Sequence, residues 1–148
     1  MKFSLIGIKI SIAGAKLSHL ALKDKIWDYG SMVEQVKTVF MQIEKAKKKD
    51  NADLLRNYTT NSGYQFFENN IVSGKQKIDE RLLEKIAIIE VKARHKQLPD
   101  RFCALVKGMK NRMEATVNDL KKKQKMQEFS ELWYFSREGH WWKLHEIR

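Results

Sequence analysis

The spacing of apolar residues changes once along this chain, and that change constrains the fold more than any other feature. In the first third, five apolar residues recur at helical spacing: Met32, Val36, Val39, Phe40 and Ile43. From Ala87 to Arg94, every second residue is apolar, and three of the four residues between them are charged. This period of two residues is typical of a strand. Helices followed by antiparallel strands predict an α+β fold in which N-terminal helices pack on a sheet.

The helical part has recognisable boundaries. A capping box from Ser31 to Glu34 predicts the start of the first helix. Asp50-Asn51 is placed to cap a short helix from Ala52 to Tyr58. A third helix is predicted to begin after Thr60 or Asn61 and to end at Gly74.

The second half is predicted to form strands after a short helical stretch from Asp79 to Glu84. Pro99-Asp100 predicts a turn, because proline and aspartate favour turn conformations. A strand from Phe102 to Met113 follows, with Gly108 as a bulge or bend.

The last strands, Phe129 to Arg137 and His140 to Ile147, are predicted to form a hairpin around a two-residue turn at Glu138-Gly139. The predicted cross-strand pairs are Phe135 with Trp142, Trp133 with Leu144, and Glu131 with Glu146. One face of this hairpin is therefore aromatic, and two carboxylates lie opposite each other.

Residues 1–24 are predicted to form an apolar and basic N-terminal arm. Isoleucine occupies every even position from Ile6 to Ile12, a period of two that favours an extended or irregular segment. Lysines at positions 2, 9, 16 and 23 leave uncharged runs of six residues. A membrane span needs about 20 predominantly apolar residues, so no spanning helix is expected. Lys9 also interrupts the apolar stretch that a signal peptide requires.

The chain is strongly basic, with 29 Lys and Arg against 18 Asp and Glu and a formal charge of +11. Such a surplus predicts an anionic lipid surface, a nucleic acid or an acidic protein as partner. Two tracts are candidate lipid-headgroup contacts: Lys45, Lys47, Lys48 and Lys49, and then Lys121, Lys122, Lys123 and Lys125. One tract supplies roughly 4 kcal/mol near an anionic membrane, so stable docking requires both tracts on one surface.

No cofactor or metal site is predicted. The one cysteine, Cys103, excludes an intrachain disulfide and a zinc site built on cysteines, and we expect it to be a small core residue. The four histidines lack metal-ligand spacing. Gly74-Lys75 lacks the first glycine and the final Ser or Thr of a phosphate-binding loop.

Several segments together carry a family resemblance. They are Trp27, the helix from Met32 to Ile43, the stretch from Asp53 to Thr59 and, above all, the aromatic hairpin from Phe129 to Ile147. This pattern resembles the Tim forty-four-like domain, the C-terminal domain of a mitochondrial inner-membrane import subunit, which also occurs in bacterial proteins. The resemblance covers residues 25–148.

The resemblance implies a cone-like fold of the nuclear transport factor two type, in which helices pack on a curved antiparallel sheet and leave an apolar pocket. It implies a peripheral membrane protein that binds anionic lipid and tethers a protein partner, and not an enzyme. The pocket would hold an acyl chain or a partner's side chain. The residues assigned to its wall are Phe129, Trp133, Phe135, Trp142 and Leu144.

The long charged region that precedes the mitochondrial domain is lacking here, so a stand-alone bacterial relative is favoured over an import subunit. The expected location is intracellular, on the bacterial cytoplasmic membrane or, in a eukaryote, the mitochondrial inner membrane. The protein partner stays unidentified and a homodimer stays open.

Two alternatives remain. Glu131 and Glu146 would form a coupled carboxylate pair in a pocket enzyme of the isomerase or dehydratase class. A nucleic-acid-binding protein would stack bases on Tyr134 or Trp141. Nucleic acid ranks lower because the lysine tracts contain no interleaved aromatic residues.

Overall fold

The structure is a computed structural model, and it describes residues 2–72, 79–112 and 126–148. Helices precede strands along the chain, and the four strands form one antiparallel sheet in the order β1-β2-β3-β4. The elements are α1 (Lys2–Lys23), a 3₁₀ helix (Lys25–Trp27), α2 (Tyr29–Lys49), a 3₁₀ helix (Ala52–Leu55), α3 (Asn61–Val72), β1 (Asp79–Lys92), β2 (Arg101–Arg112), β3 (Met126–Glu138) and β4 (Trp141–Ile147). The predicted α+β class, with helices packed on the sheet, is confirmed.

Helix α2 packs its predicted apolar stripe into the core. Met32, Val36 and Val39 are fully buried, as the helical spacing indicated. The predicted capping box is wrong in its position, because Asp28 caps the helix. Its carboxylate accepts a hydrogen bond of 2.9 Å from the backbone N–H of Ser31. The carboxylate is the better acceptor for the unpaired N–H groups, so α2 begins two residues before Ser31.

The next two helices begin where the sequence predicted. Asn51 caps the 3₁₀ helix Ala52–Leu55, which is shorter than expected, and α3 begins at Asn61. The segment before α3 is bound to β4, because the N–H of Thr60 donates to the carbonyl of Leu144 at 3.0 Å. The predicted end at Gly74 lies outside the described residues.

Strand β1 begins at Asp79, so the predicted helical stretch from Asp79 to Glu84 is wrong. The segment is strand because it pairs with β2 along its whole length, and sheet pairing overrides a local helical pattern. The irregularity expected at Gly108 lies on the opposite strand, where the register of β1 shifts between Leu83 and Lys85. A Cβ atom on Gly108 would lie 2.0 Å from the carbonyl oxygen of Leu82, so this close approach requires glycine.

The hairpin is present, but its predicted register is wrong. The turn residues are Gly139, with φ +62°, and His140, one position later than expected. A further register shift falls between Tyr134 and Phe135. The observed pairs are Arg137 with Trp142, Phe135 with Leu144, Tyr134 with Glu146, and Trp133 with Ile147.

Helix α1 replaces the extended segment that was predicted in the N-terminal arm. Ile6 and Ile10 pack on the face of the sheet that carries Cys103, whereas Ala13 and Leu17 are buried in the main core. This spacing is helical. The alternating isoleucines were misleading because they occupy two different sides of a helix rather than one side of a strand.

We predict that Gly108→Ala destabilises the fold by about 3 kcal/mol, because the added methyl group meets backbone that cannot move without breaking β1–β2 pairing. Gly30→Ala in α2 is the matched control. Its Cβ would have only one ordinary contact, 3.5 Å from Asp28 Oδ2, and alanine favours helix. Urea unfolding checks both variants. Equal unfolding midpoints would contradict the close approach of Gly108 to the backbone of Leu82.

Candidate membrane-binding surface

Helix α1 exposes a stripe that is apolar except at His19, and we call it the outer stripe. Its members lie alternately three and four residues apart and therefore share one face of the helix. They are Leu5, Ile8, Ile12, Ala15, His19 and Leu22. All six side chains are exposed, and Leu5, Ile8, Ile12 and Leu22 are each more than half exposed. Four large apolar side chains on one helix face are thus left without a protein partner among the described residues.

A different face of α1 attaches the helix to the rest of the protein. Ala13 and Leu17 are 2% and 4% exposed, and Ile6 and Ile10 are partly buried against the sheet. Most of the contacts of α1 are with β1. The helix is therefore held on one side and exposes an apolar surface on another.

A row of lysines borders the outer stripe. Lys9, Lys16 and Lys23 recur every seven residues, each one position after a stripe residue, and all three are exposed. Ser11 and Ser18 border the opposite side of the stripe. An apolar strip with flanking lysines suits the boundary between lipid headgroups and acyl chains, since lysine stems lie on apolar surface while the ammonium groups stay in water.

The segment Leu5–Lys23 is long and apolar enough to cross a membrane, by length and composition alone. The prediction that the lysines exclude a spanning helix is neither confirmed nor contradicted by length and composition, and it stays a prediction. Only 11% of the apolar window is buried, which sets α1 apart from the core helix of a soluble protein. The recurrence of lysine at positions 2, 9, 16 and 23 is the sequence signal that could have found this surface, because a seven-residue period follows one side of a helix.

Three lysines of the first tract are exposed, and the fourth is buried. Lys45, Lys48 and Lys49 are exposed at the end of α2, whereas Lys47 is 7% exposed and lies 2.8 Å from the carboxylate of Glu44. Lys47 is therefore turned away from any surface that the other three share. The second tract, Lys121, Lys122, Lys123 and Lys125, lies outside the described residues, so the requirement that both tracts share one surface stays a prediction.

The residues assigned to the pocket wall pack in the core between α2 and the sheet. Trp133, Phe135, Trp142 and Leu144 are buried, and Phe129 is partly buried. Phe40 of α2 lies 6.0 Å from Trp133 and 6.3 Å from Phe129, measured between ring centroids. Protein side chains thus occupy the space beside these residues.

The predicted carboxylate pair does not form. Glu131 accepts hydrogen bonds from Arg81 and, at 3.2 Å, from the indole N–H of Trp133. Glu146 binds Arg148 instead, which lowers the pKa of the Glu146 carboxyl group. The shifted register separates the two carboxylates, and each is neutralised by its own arginine.

Cys103 is a core residue, as expected. It is buried on the α1 side of the sheet, and burial raises the pKa of its thiol to about 11. The thiol is therefore protonated at neutral pH, which does not suit a nucleophile. Within residues 2–72, 79–112 and 126–148, no group of three or more His, Cys, Asp or Glu residues is placed to hold a metal ion.

Comparison with known proteins finds similarity at the level of structure. No protein-family model matches the sequence. No curated protein matches it either. The structure is similar to the crystal structure of the intermembrane space region of the chloroplast protein ARC6, with a TM-score of 0.53, 10% sequence identity, and coverage of 78% of this chain and 93% of that chain. At this identity the likeness shows a shared fold alone.

We predict that Glu131→Gln lowers the free energy of unfolding by about 1–2 kcal/mol, because the partly buried Arg81 loses its charged partner. Glu146→Gln is the matched control and leaves stability unchanged, since its ion pair with Arg148 is exposed. Urea unfolding measures both variants. The assignment of a structural role to Glu131 is wrong if the two substitutions are equivalent.

We also predict that Cys103 in the folded protein fails to react with a soluble thiol reagent at mildly alkaline pH. Burial shields the sulfur, and its pKa of about 11 keeps the thiolate scarce. The urea-unfolded chain is the control and reacts fully. Rapid modification of the folded protein would contradict the burial of this residue.

Proposed function

We propose that this chain is a non-enzymatic, membrane-peripheral binding domain of the Tim forty-four-like type, which docks on anionic bilayers through the outer stripe of α1 and its flanking lysines. The observation that carries the proposal is the exposed apolar stripe on a helix whose other side is held by the sheet. The proposed location is the intracellular face of a membrane, and the proposed task is to hold a protein partner there.

Docking parallel to the bilayer explains the lysines better than spanning does. Lys9 and Lys16 lie in the middle part of α1, where each lysine opposes insertion by about 2.5–3.5 kcal/mol. Spanning would also strip Ala13 and Leu17 from the core that buries them. Parallel docking keeps both the core contacts and the hydration of the lysines.

The expected affinity is moderate. Each lysine near an anionic surface contributes about 1 kcal/mol. Further burial of the four large stripe residues, which are already partly covered by their own helix, contributes about 1 kcal/mol each. The total of roughly 7 kcal/mol corresponds to an effective dissociation constant of roughly ten micromolar in accessible lipid.

A second copy of the chain is a weaker occupant for the stripe. The seven-residue repeat suits a helix pair, but it extends over about three heptads, which is marginal for a coiled coil. It also places His19 in the seam between the two helices.

The catalytic alternative has lost its carboxylate pair, because Glu131 and Glu146 bind separate arginines.

The test is flotation with vesicles of phosphatidylcholine mixed with increasing amounts of phosphatidylglycerol. We expect Ile8→Gln/Ile12→Gln to weaken binding by about tenfold or more, because two apolar side chains are removed from the interface. Met41→Gln, at an exposed apolar position of α2, is the control and binds like the parent protein.

Charge is tested in the same assay. Lys9→Gln/Lys16→Gln is expected to weaken binding by about 30-fold, because two charges leave the anionic surface. Lys48→Gln/Lys49→Gln removes the same charge from α2 and measures how much the first lysine tract contributes to vesicle binding. Equal losses in both pairs would indicate attraction by net charge and overturn docking through α1. Binding to single-stranded DNA without binding to vesicles, or a dimer that Ile8→Gln/Ile12→Gln dissociates, would also overturn it.

A further inference from the structure

A basic groove of about 680 Å³ lies between the C-terminal half of α1 and the adjoining ends of β1 and β2. Its floor is apolar and includes Leu20 and Val91. The polar or charged residues that line the groove are all of basic type. They are Lys16, His19, Lys92, His95 and Arg101. No acidic side chain is among the described residues that line it, so the groove concentrates positive charge around an apolar floor.

The sheet register forces two of these cations together. Lys92 of β1 lies directly opposite Arg101 of β2 in the antiparallel pairing. Like charges at directly opposed positions destabilise a sheet. Glu90 lies 3.0 Å from Lys92 and offsets one charge, but Arg101 has no carboxylate partner within the described ranges. An anion in the groove would relieve this repulsion.

Arg101 also has an unsatisfied donor. Its Nε atom is buried and has no hydrogen-bond partner among the described residues. Because this Nε–H group is not accessible from the groove, a phosphate oxygen there would meet Arg101 through its terminal guanidinium N–H groups, with charge-assisted hydrogen bonds. Charge therefore favours an anionic ligand over a neutral one, and the guanidinium of Arg101 suits the oxygens of a phosphate as well as those of a carboxylate.

The groove is continuous with the outer stripe, because Ala15 and His19 belong to both. We propose that the groove binds the phosphate of an anionic phospholipid whose headgroup carries no ammonium group, with its first methylenes on the floor formed by Leu20 and Val91. This inference rests on the proposed docking of α1 for its source of lipid. An ammonium-bearing headgroup is disfavoured because no acidic residue among the lining residues would neutralise it.

The first experiment uses a soluble probe, dihexanoyl phosphatidic acid, and isothermal titration calorimetry. We expect saturable binding that Arg101→Gln weakens by about tenfold or more, since a charge-assisted hydrogen bond is lost. Lys16→Gln, an exposed substitution that does not threaten folding, is expected to weaken it about fivefold. Lys37→Gln, which removes the same charge from an exposed position of α2 outside the groove, leaves binding unchanged. Urea unfolding establishes that Arg101→Gln is folded.

The second experiment compares vesicles that contain phosphatidylglycerol with vesicles that contain the same fraction of phosphatidylserine, which has equal net charge. We expect stronger docking on phosphatidylglycerol, and we expect Arg101→Gln to abolish the difference. Docking that is equal on both lipids, together with no binding of dihexanoyl phosphatidic acid, would overturn the groove and leave the proposed function standing.

The remaining outcomes are also decisive. Binding of dihexanoyl phosphatidic acid without docking on any vesicle would support the groove and overturn the proposed function. Inorganic phosphate that binds as tightly as the short-chain lipid would overturn the lipid as the source of the phosphate. Equal effects of Arg101→Gln and Lys37→Gln on the short-chain lipid would reduce the interaction to net charge and overturn the site.

Discussion

The structure depends on a chain of aromatic rings that joins the helices to the sheet. Trp133, which is fully buried, stacks on Phe40 of α2, and Phe102 stacks on Phe135 at a centroid distance of 4.7 Å. Phe102 then meets Trp142 edge to face at 4.8 Å. These rings come from α2, β2, β3 and β4, so none of these four elements can separate from the others without exposing large apolar surface.

The same ring system fixes the position of α1. Trp142 contacts Trp27 at 5.0 Å, and its indole N–H donates to the carbonyl of Ile26, so the 3₁₀ helix after α1 is held against the sheet. Arg137 forms ion pairs with Asp24 and Asp100 and ties the end of α1 to the β1–β2 connection. With its end fixed, α1 lies along β1, and its outer stripe is left exposed. The proposed membrane surface is therefore a consequence of how the aromatic core holds the segment 24–27.

Part of this arrangement could be predicted from the sequence, because local periodicity reports which side of an element is buried. The stripe of α2, the start of α3, the second half of β1 and the strands β2, β3 and β4 follow from such patterns. The register of β3 and β4 could not be predicted, because a turn shifted to Gly139 and His140 and a bulge near Tyr134 each move the pairing. That error created the false pairing of Glu131 with Glu146.

The candidate surface was missed for a related reason. In α1, one set of apolar residues packs on the protein and another set is exposed, and the two sets together imitate the alternation of a strand. Lys47 was misassigned because a run of lysines gives no sign of which one will be buried beside Glu44. The basic groove could not be predicted because it depends on the β1–β2 register. This register brings together Lys92 and Arg101, which are nine positions apart in the sequence.

The most direct measurement is the membrane depth of individual α1 positions. Spin labels on Ile8→Cys, Ile12→Cys and Leu22→Cys, with the buried Cys103 left unlabelled, are read by power saturation on anionic vesicles. We expect one shared depth near the headgroups for all three, and no lipid contact for a label at Ile10→Cys, which faces the sheet. A graded depth with Ile12 near the bilayer centre would indicate a spanning helix, and exposure of every label to water would remove the membrane role.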